Sequence, residues 1–119
     1  MPLLKVTTNA KADETESADL PIQLLPGQLS QAVAELLGKP ESYVMVIVEY
    51  NTNMSFAGTN EPLAFLELKS LGLPEDKTTE FSENLCLLIQ DLLNIPPNRI
   101  YIEFSSPDRH LWGWDKRTF

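Results

Sequence analysis

The chain has 119 residues, 17 Asp plus Glu against 9 Lys plus Arg, a net charge of −8 and 43% hydrophobic residues. Such a length fits one domain over residues 1–119 with a core of its own, small enough for oligomerisation to add burial. The acidic balance argues against nucleic acid or an anionic membrane as the main partner. No apolar stretch approaches the roughly 18 residues of a membrane span. Nor does an apolar h-region open the chain, so the expected location is cytoplasmic. Cys86 is the single cysteine and cannot form an internal disulfide; its apolar helical surroundings predict an inert core thiol.

In chain order, Leu3 to Thr8 reads as a strand. Asn9 to Asp19 is polar and acidic, with Asp13, Glu14, Glu16 and Asp19, and predicts an exposed, mobile loop. Pro21 and Pro26-Gly27 precede a helix whose apolar residues Leu29, Ala32, Val33, Leu36 and Leu37 share one face. Gly38 suits its C′ position and Pro40 stops it. Tyr43 to Tyr50 is almost continuously apolar and predicts a strand covered on both faces. Asn51 to Pro62 is loop, and Leu63 to Ser70 a third strand. Phe81, Leu85, Leu88, Ile89, Leu92 and Leu93 form a second amphipathic helix, with Thr78 or Thr79 available as its cap. Arg99 to Phe104 is the fourth strand.

The second half repeats the first. LLGKPESYVMVIV (Leu36 to Val48) and LLNIPPNRIYIEF (Leu92 to Phe104) align in the double leucine, a proline and the strand onset at a constant offset. Two β-α-β units with right-handed crossovers predict an α/β (α+β) fold, a four-stranded sheet with two helices on one face. The other sheet face stays bare within one copy, which predicts a closed oligomer.

Met1-Pro2 stands directly before the first strand, so the end of the chain is carried into the protein. If Met1 is removed, as a small second residue permits, Pro2 becomes a secondary amine at the start of a strand. While Met1 remains, the Pro2 nitrogen is an amide without basicity.

The chain resembles the macrophage migration inhibitory factor family of the tautomerase superfamily over nearly its whole length. The likeness is carried by Met1-Pro2, Thr8-Asn9, GKPESYVM (Gly38 to Met45), Met54 to Thr59, Glu61-Pro62, Ser70-Leu71-Gly72, Arg99 to Ile102, and Gly113-Trp114 with Thr118-Phe119. GKPESYVM is closer to plant or microbial members than to vertebrate cytokines. The resemblance implies a homotrimer around a central channel, with sites at subunit boundaries and Pro2 as catalytic base. It implies keto–enol tautomerisation of aryl 2-oxo acids such as phenylpyruvate, with no cofactor and no metal.

The resemblance also assigns the substrate-binding residues. Lys39 would hold a carboxylate and disfavour the protonated amine; by position alone it reads as a helix-terminal lysine serving the dipole. Leu71 would offer its backbone N–H. Tyr101 and Glu103 share one strand face, which is either a wetter face or the wall of a neighbouring subunit's pocket. Trp112, Trp114 and Phe119 form an aromatic group that either walls a ring-binding pocket or simply packs the tail. Two departures stand out. Glu103 replaces the asparagine of vertebrate members, and Leu63 and Leu66 replace their Cys-x-x-Cys pair, excluding thiol–disulfide activity. The alternatives are a cytokine-like or regulatory interaction protein with a vestigial pocket and an unnamed receptor, or a module that binds a small acid without turnover.

Overall fold

The computed structural model describes residues 1–11 and 25–119. The acidic loop predicted from Asn9 to Asp19 therefore lies mostly outside the described residues. Strand β1 (Pro2–Thr8) pairs in parallel with β2 (Met45–Tyr50) and antiparallel with β3 (Ala64–Ser70), which pairs in parallel with β4 (Ile100–Ser105). The order β2-β1-β3-β4 sets the two β-α-β units side by side, as the repeat predicts. Helices α1 (Leu25–Leu37) and α2 (Thr78–Leu93) complete the units. Strand alternation sends Leu4, Val6, Leu66 and Leu68 to one face, where they pack with Leu29, Val33, Phe81, Leu85, Ile89 and Leu93 in the core. Fully burying each such side chain contributes about 1.5–3 kcal/mol.

The internal repeat extends to backbone detail. Gly38 at φ 63 and Asn94 at φ 56 end the two helices in the left-handed region. A proline follows each, at Pro40 and Pro96, and then a short 3-10 turn, Glu41–Tyr43 and Pro97–Arg99.

Several boundaries differ from the expectation. Helix α1 takes in Leu25, Pro26 and Gly27, because a proline in the first turn forfeits no helical hydrogen bond. The cap of α2 is Lys77 without a side-chain bond; Thr78 Oγ1 donates back to the Glu75 carbonyl instead. The second strand begins at Met45, since Glu41–Tyr43 turns first. It is not covered on both faces: β2 is an edge strand, with Met45 62% and Ile47 37% exposed. Cys86 is half-buried beside the core rather than within it. Burial pushes its thiol up, against a hydrogen bond with Ser82, which leaves it short of reactive thiolate.

On the bare face the strand register aligns Met45, Leu3 and Lys69, then Ile47, Lys5, Glu67 and Glu103, then Glu49, Thr7, Phe65 and Tyr101. Apolar side chains and charges therefore alternate across it. One ion pair, Lys5 to Glu49 at 3.6 Å, lies on this face. No described helix is long and apolar enough to cross a membrane.

The two ends of the sheet are built differently. At the Thr8 end, Thr8 Oγ1 donates to the Leu63 carbonyl at 2.7 Å and accepts from the Ala10 amide at 3.0 Å. Asn9 accepts from the Leu63 amide at 2.9 Å, and Arg99 donates to the carbonyls of Pro62, Phe56, Thr59 and Glu61. The loop expected over Asn51 to Pro62 is fixed here around a tight turn between Phe56 and Thr59. The opposite end, where Pro2 pairs with Ser70, opens into hollows.

Candidate active site

Four chain segments converge at the Pro2 end. The first is the start of β1, where the alternation of Pro2, Leu4 and Val6 buries Pro2 and leaves Met1 half-buried in front of it. The second follows α1: the left-handed Gly38 lets the Lys39 amide donate to the Ala34 carbonyl at 3.0 Å, and this turn sets Lys39 beside the N-terminus. The third is the end of β3, where Leu71 is buried and Gly72, at φ +67, turns the chain away. The fourth is the tail.

That tail folds back as a structure the sequence reading did not anticipate. A 3-10 turn, Arg109–Leu111, leads into the hairpin of β5 (Gly113–Trp114) and β6 (Arg117–Thr118). Asp115 and Lys116 hold its turn with φ values of 49° and 68°. The Phe119 amide then donates to the carbonyls of Arg109 and Trp112 at 3.1 and 3.2 Å, closing the segment on itself. Trp114 stacks on Phe119 with ring centres 5.9 Å apart and meets Tyr43 edge-on at the same separation.

The result is a cavity of about 410 Å³ lined by Met1, Lys39, Pro40, Tyr43, Leu71, Gly72, Arg109, Trp114, Arg117 and Phe119. A second hollow of about 230 Å³ adjoins it, lined by Pro2, Trp112 and Met45 among others and sharing Met1, Tyr43 and Trp114 with the first. The Met1 amine is held below the ordinary amine value by burial, then by the positive charges of Lys39 and Arg109. All three causes disfavour the ammonium form, so this corner of the fold favours a terminal nitrogen in its uncharged form. A groove of about 310 Å³ between α1 and α2, lined by Ala32, Glu35, Leu36, Asn84, Leu85 and Leu88, contains none of these groups.

Of the residues singled out in the sequence, Lys39, Leu71, Trp114 and Phe119 line the larger cavity, and Pro2 and Trp112 the adjoining one. Tyr101 and Glu103 line neither. Both project from β4 onto the bare face, and Tyr101 lies opposite Phe65, which lies opposite Thr7. At about 3.3 Å per residue, that is roughly 16 Å along the strand from Pro2. Tyr101 packs against Phe56 at 4.8 Å instead. Within one copy of the chain, then, these two residues do not join the Pro2 cluster. Arg109, Arg117 and Tyr43 were missed. The available signal was the two arginines bracketing the aromatic tail of an otherwise acidic chain.

The family model described as macrophage migration inhibitory factor matches residues 1–119. The chain belongs to the macrophage migration inhibitory factor family. Among relatives, the macrophage migration inhibitory factor of Mus musculus is 35% identical, with 100% of this chain and 99% of that protein aligned. The homolog of Brugia malayi is 37% identical over the same shares. Among solved structures, the homologue from Prochlorococcus marinus is 41% identical, with a TM-score of 0.82 over 98% of both chains. The macrophage migration inhibitory factor of Trichinella spiralis reaches a TM-score of 0.85 at 30% identity, covering 98% of this chain and 99% of its own. Against this family the mixed four-stranded sheet and its two helices are the shared frame, and the cation-lined cavity is read on that frame.

Proposed function

We propose that this chain is a cofactor-free keto–enol tautomerase of aryl 2-oxo acids, in which Pro2, exposed by loss of Met1, is the general base. The observation that carries the reading is the Met1 amine, one residue from the Pro2 nitrogen, in a cavity beside Lys39 and held below its ordinary value by burial and by the charges of Lys39 and Arg109. An ordinary α-amine with a pKa near 8 is only about a tenth free base at neutral pH. Each unit of depression raises that fraction, at about 1.4 kcal/mol of differential interaction.

In the enolising direction, the Pro2 nitrogen accepts a proton from C3 of the 2-oxo acid. The C–H electron pair becomes the C2–C3 double bond, and the carbonyl pair moves onto oxygen, which takes a proton from water or a nearby donor. Ketonisation runs the same steps backwards, with the protonated Pro2 delivering its proton to C3. Lys39 holds the substrate carboxylate, the Leu71 backbone N–H steadies the substrate, and Trp114 and Phe119 flank its ring. Tyr101 and Glu103 would reach the cavity from a neighbouring copy, across the bare sheet face of a homotrimer. Exposed Met45, Ile47, Phe65 and Tyr101 on that face support such an assembly.

The test is ketonisation of the phenylpyruvate enol by protein whose intact mass confirms loss of Met1. Turnover that vanishes when the terminus is chemically blocked supports the proposal. Turnover indifferent to blocking ends it. The shared name of the relatives supports a second reading, a regulatory interaction protein with an idle pocket; a retained Met1 in the mature chain would favour it.

A further inference from the structure

Arg117 has no part in the scheme above and Arg109 only a through-space effect on the terminal amine, yet both line its cavity. One carboxylate needs one cation, and Lys39 already supplies it. The cavity gathers Lys39, Arg109 and Arg117 in a chain whose net charge is −8, and no acidic side chain among the described residues lines it. A Glu103 carboxylate arriving from a neighbouring copy would answer one of these cations and leave the others.

The arginines are also positioned rather than loose. Arg117 lies over the Trp114 ring, its guanidinium carbon 5.0 Å from the ring centre, and Trp114 is itself fixed by Phe119 and Tyr43. Stacking engages the guanidinium face and leaves its edge N–H groups directed outward. Arg109 donates through Nε to the Phe119 carboxylate at 3.4 Å, which answers part of its charge and leaves its two terminal nitrogens for another acceptor. No carboxylate side chain among the described residues pairs with either arginine.

We propose that the natural substrate carries a second acidic group, remote from its 2-oxo acid end, and that Arg109 and Arg117 hold it. The inference rests on the tautomerase reading and narrows it from aryl 2-oxo acids in general to dianionic ones. The guanidinium edges suit a carboxylate, which they can grip with paired N–H donors.

The experiment compares phenylpyruvate with para-carboxyphenylpyruvate on the Met1-processed protein. A charge-assisted contact predicts a kcat/KM roughly 10–100-fold higher for the dianion. Arg117→Gln should cut that preference about tenfold, Arg117→Lys should restore part of it, and about 0.5 M salt should shrink it. A thermal melt of Arg117→Gln matching the parent protein shows that the fold survives. Equal kcat/KM for both probes, or a preference unchanged in Arg117→Gln, overturns the inference while leaving the tautomerase intact. Absence of turnover with both probes instead sinks the tautomerase reading, and calorimetry with the same pair then decides. Tenfold tighter binding of the dianion, lost in Arg117→Gln, upholds the second anion site, and equal or absent binding overturns it.

Discussion

The Thr8 end of the sheet and its Pro2 end are made from the same strands and solve opposite problems. At the Thr8 end, polar groups are matched to one another: the Thr8 hydroxyl both donates and accepts, and a single guanidinium satisfies the carbonyls of Pro62, Phe56, Thr59 and Glu61. At the Pro2 end, cations face a hollow without a matching side-chain carboxylate, and the amine is left below its ordinary basicity. Satisfied hydrogen bonds hold a structure; groups left facing a hollow are available to a ligand. Side-chain hydrogen bonds among the described residues are thus concentrated at one end of a short sheet, and the proposed base and its cations at the other.

Substitutions at each end should separate these roles. Pro2→Ala in the processed protein keeps a terminal amine but loses the ring that orients it, so it should lower kcat/KM for phenylpyruvate by less than the roughly 10²–10⁴-fold worth of a whole general base, with little change in melting temperature. Arg99→Leu should do the reverse. Losing four carbonyl contacts costs about 2–3 kcal/mol, a drop of roughly 5–10 °C in Tm, with catalysis altered only a few-fold.

Smaller effects sharpen the contrast. Processed protein should show kcat/KM rising with pH and levelling off at an inflection below the ordinary amine value, if the burial and cations that lower the Met1 amine act equally on the Pro2 nitrogen one residue away. Lys39→Gln removes one cation, so the inflection should move upward, toward that ordinary value, and kcat/KM should fall about tenfold. A pH–rate series on both proteins checks the sign; an inflection moving downward would contradict it. Gly72→Ala should cost about 1–2 kcal/mol through its positive φ alone, because a Cβ there meets nothing within 4 Å. A larger loss in a denaturant melt would mean the turn after Leu71 holds more than backbone strain.

What was legible in the sequence was whatever repeats or alternates. Leu36-Leu37-Gly38 and Leu92-Leu93-Asn94 announced two helices with matching exits, and the left-handed Gly38 and Asn94 now explain the match. Lys39, Leu71, Trp114 and Phe119 were found through family likeness rather than pattern, since a cavity assembled from four separate segments has no period. Arg109 and Arg117 escaped because only the hairpin brings them back to the N-terminus, and its Asp115-Lys116 turn lacks the glycine that usually marks one. The exposure of β2 was misread for a related reason. Continuous apolarity says that a strand's two faces avoid water, but not whether the same chain or another copy covers each of them.

Met1 borders both the larger and the smaller hollow, as do Tyr43 and Trp114. Met1 therefore stands on the border of both hollows, and trimming it would widen that border as well as expose the pyrrolidine nitrogen of Pro2. Recombinant batches with ragged N-termini would then mix trimmed and untrimmed molecules. Under the tautomerase proposal, specific activity per milligram would track the aminopeptidase of the expression host.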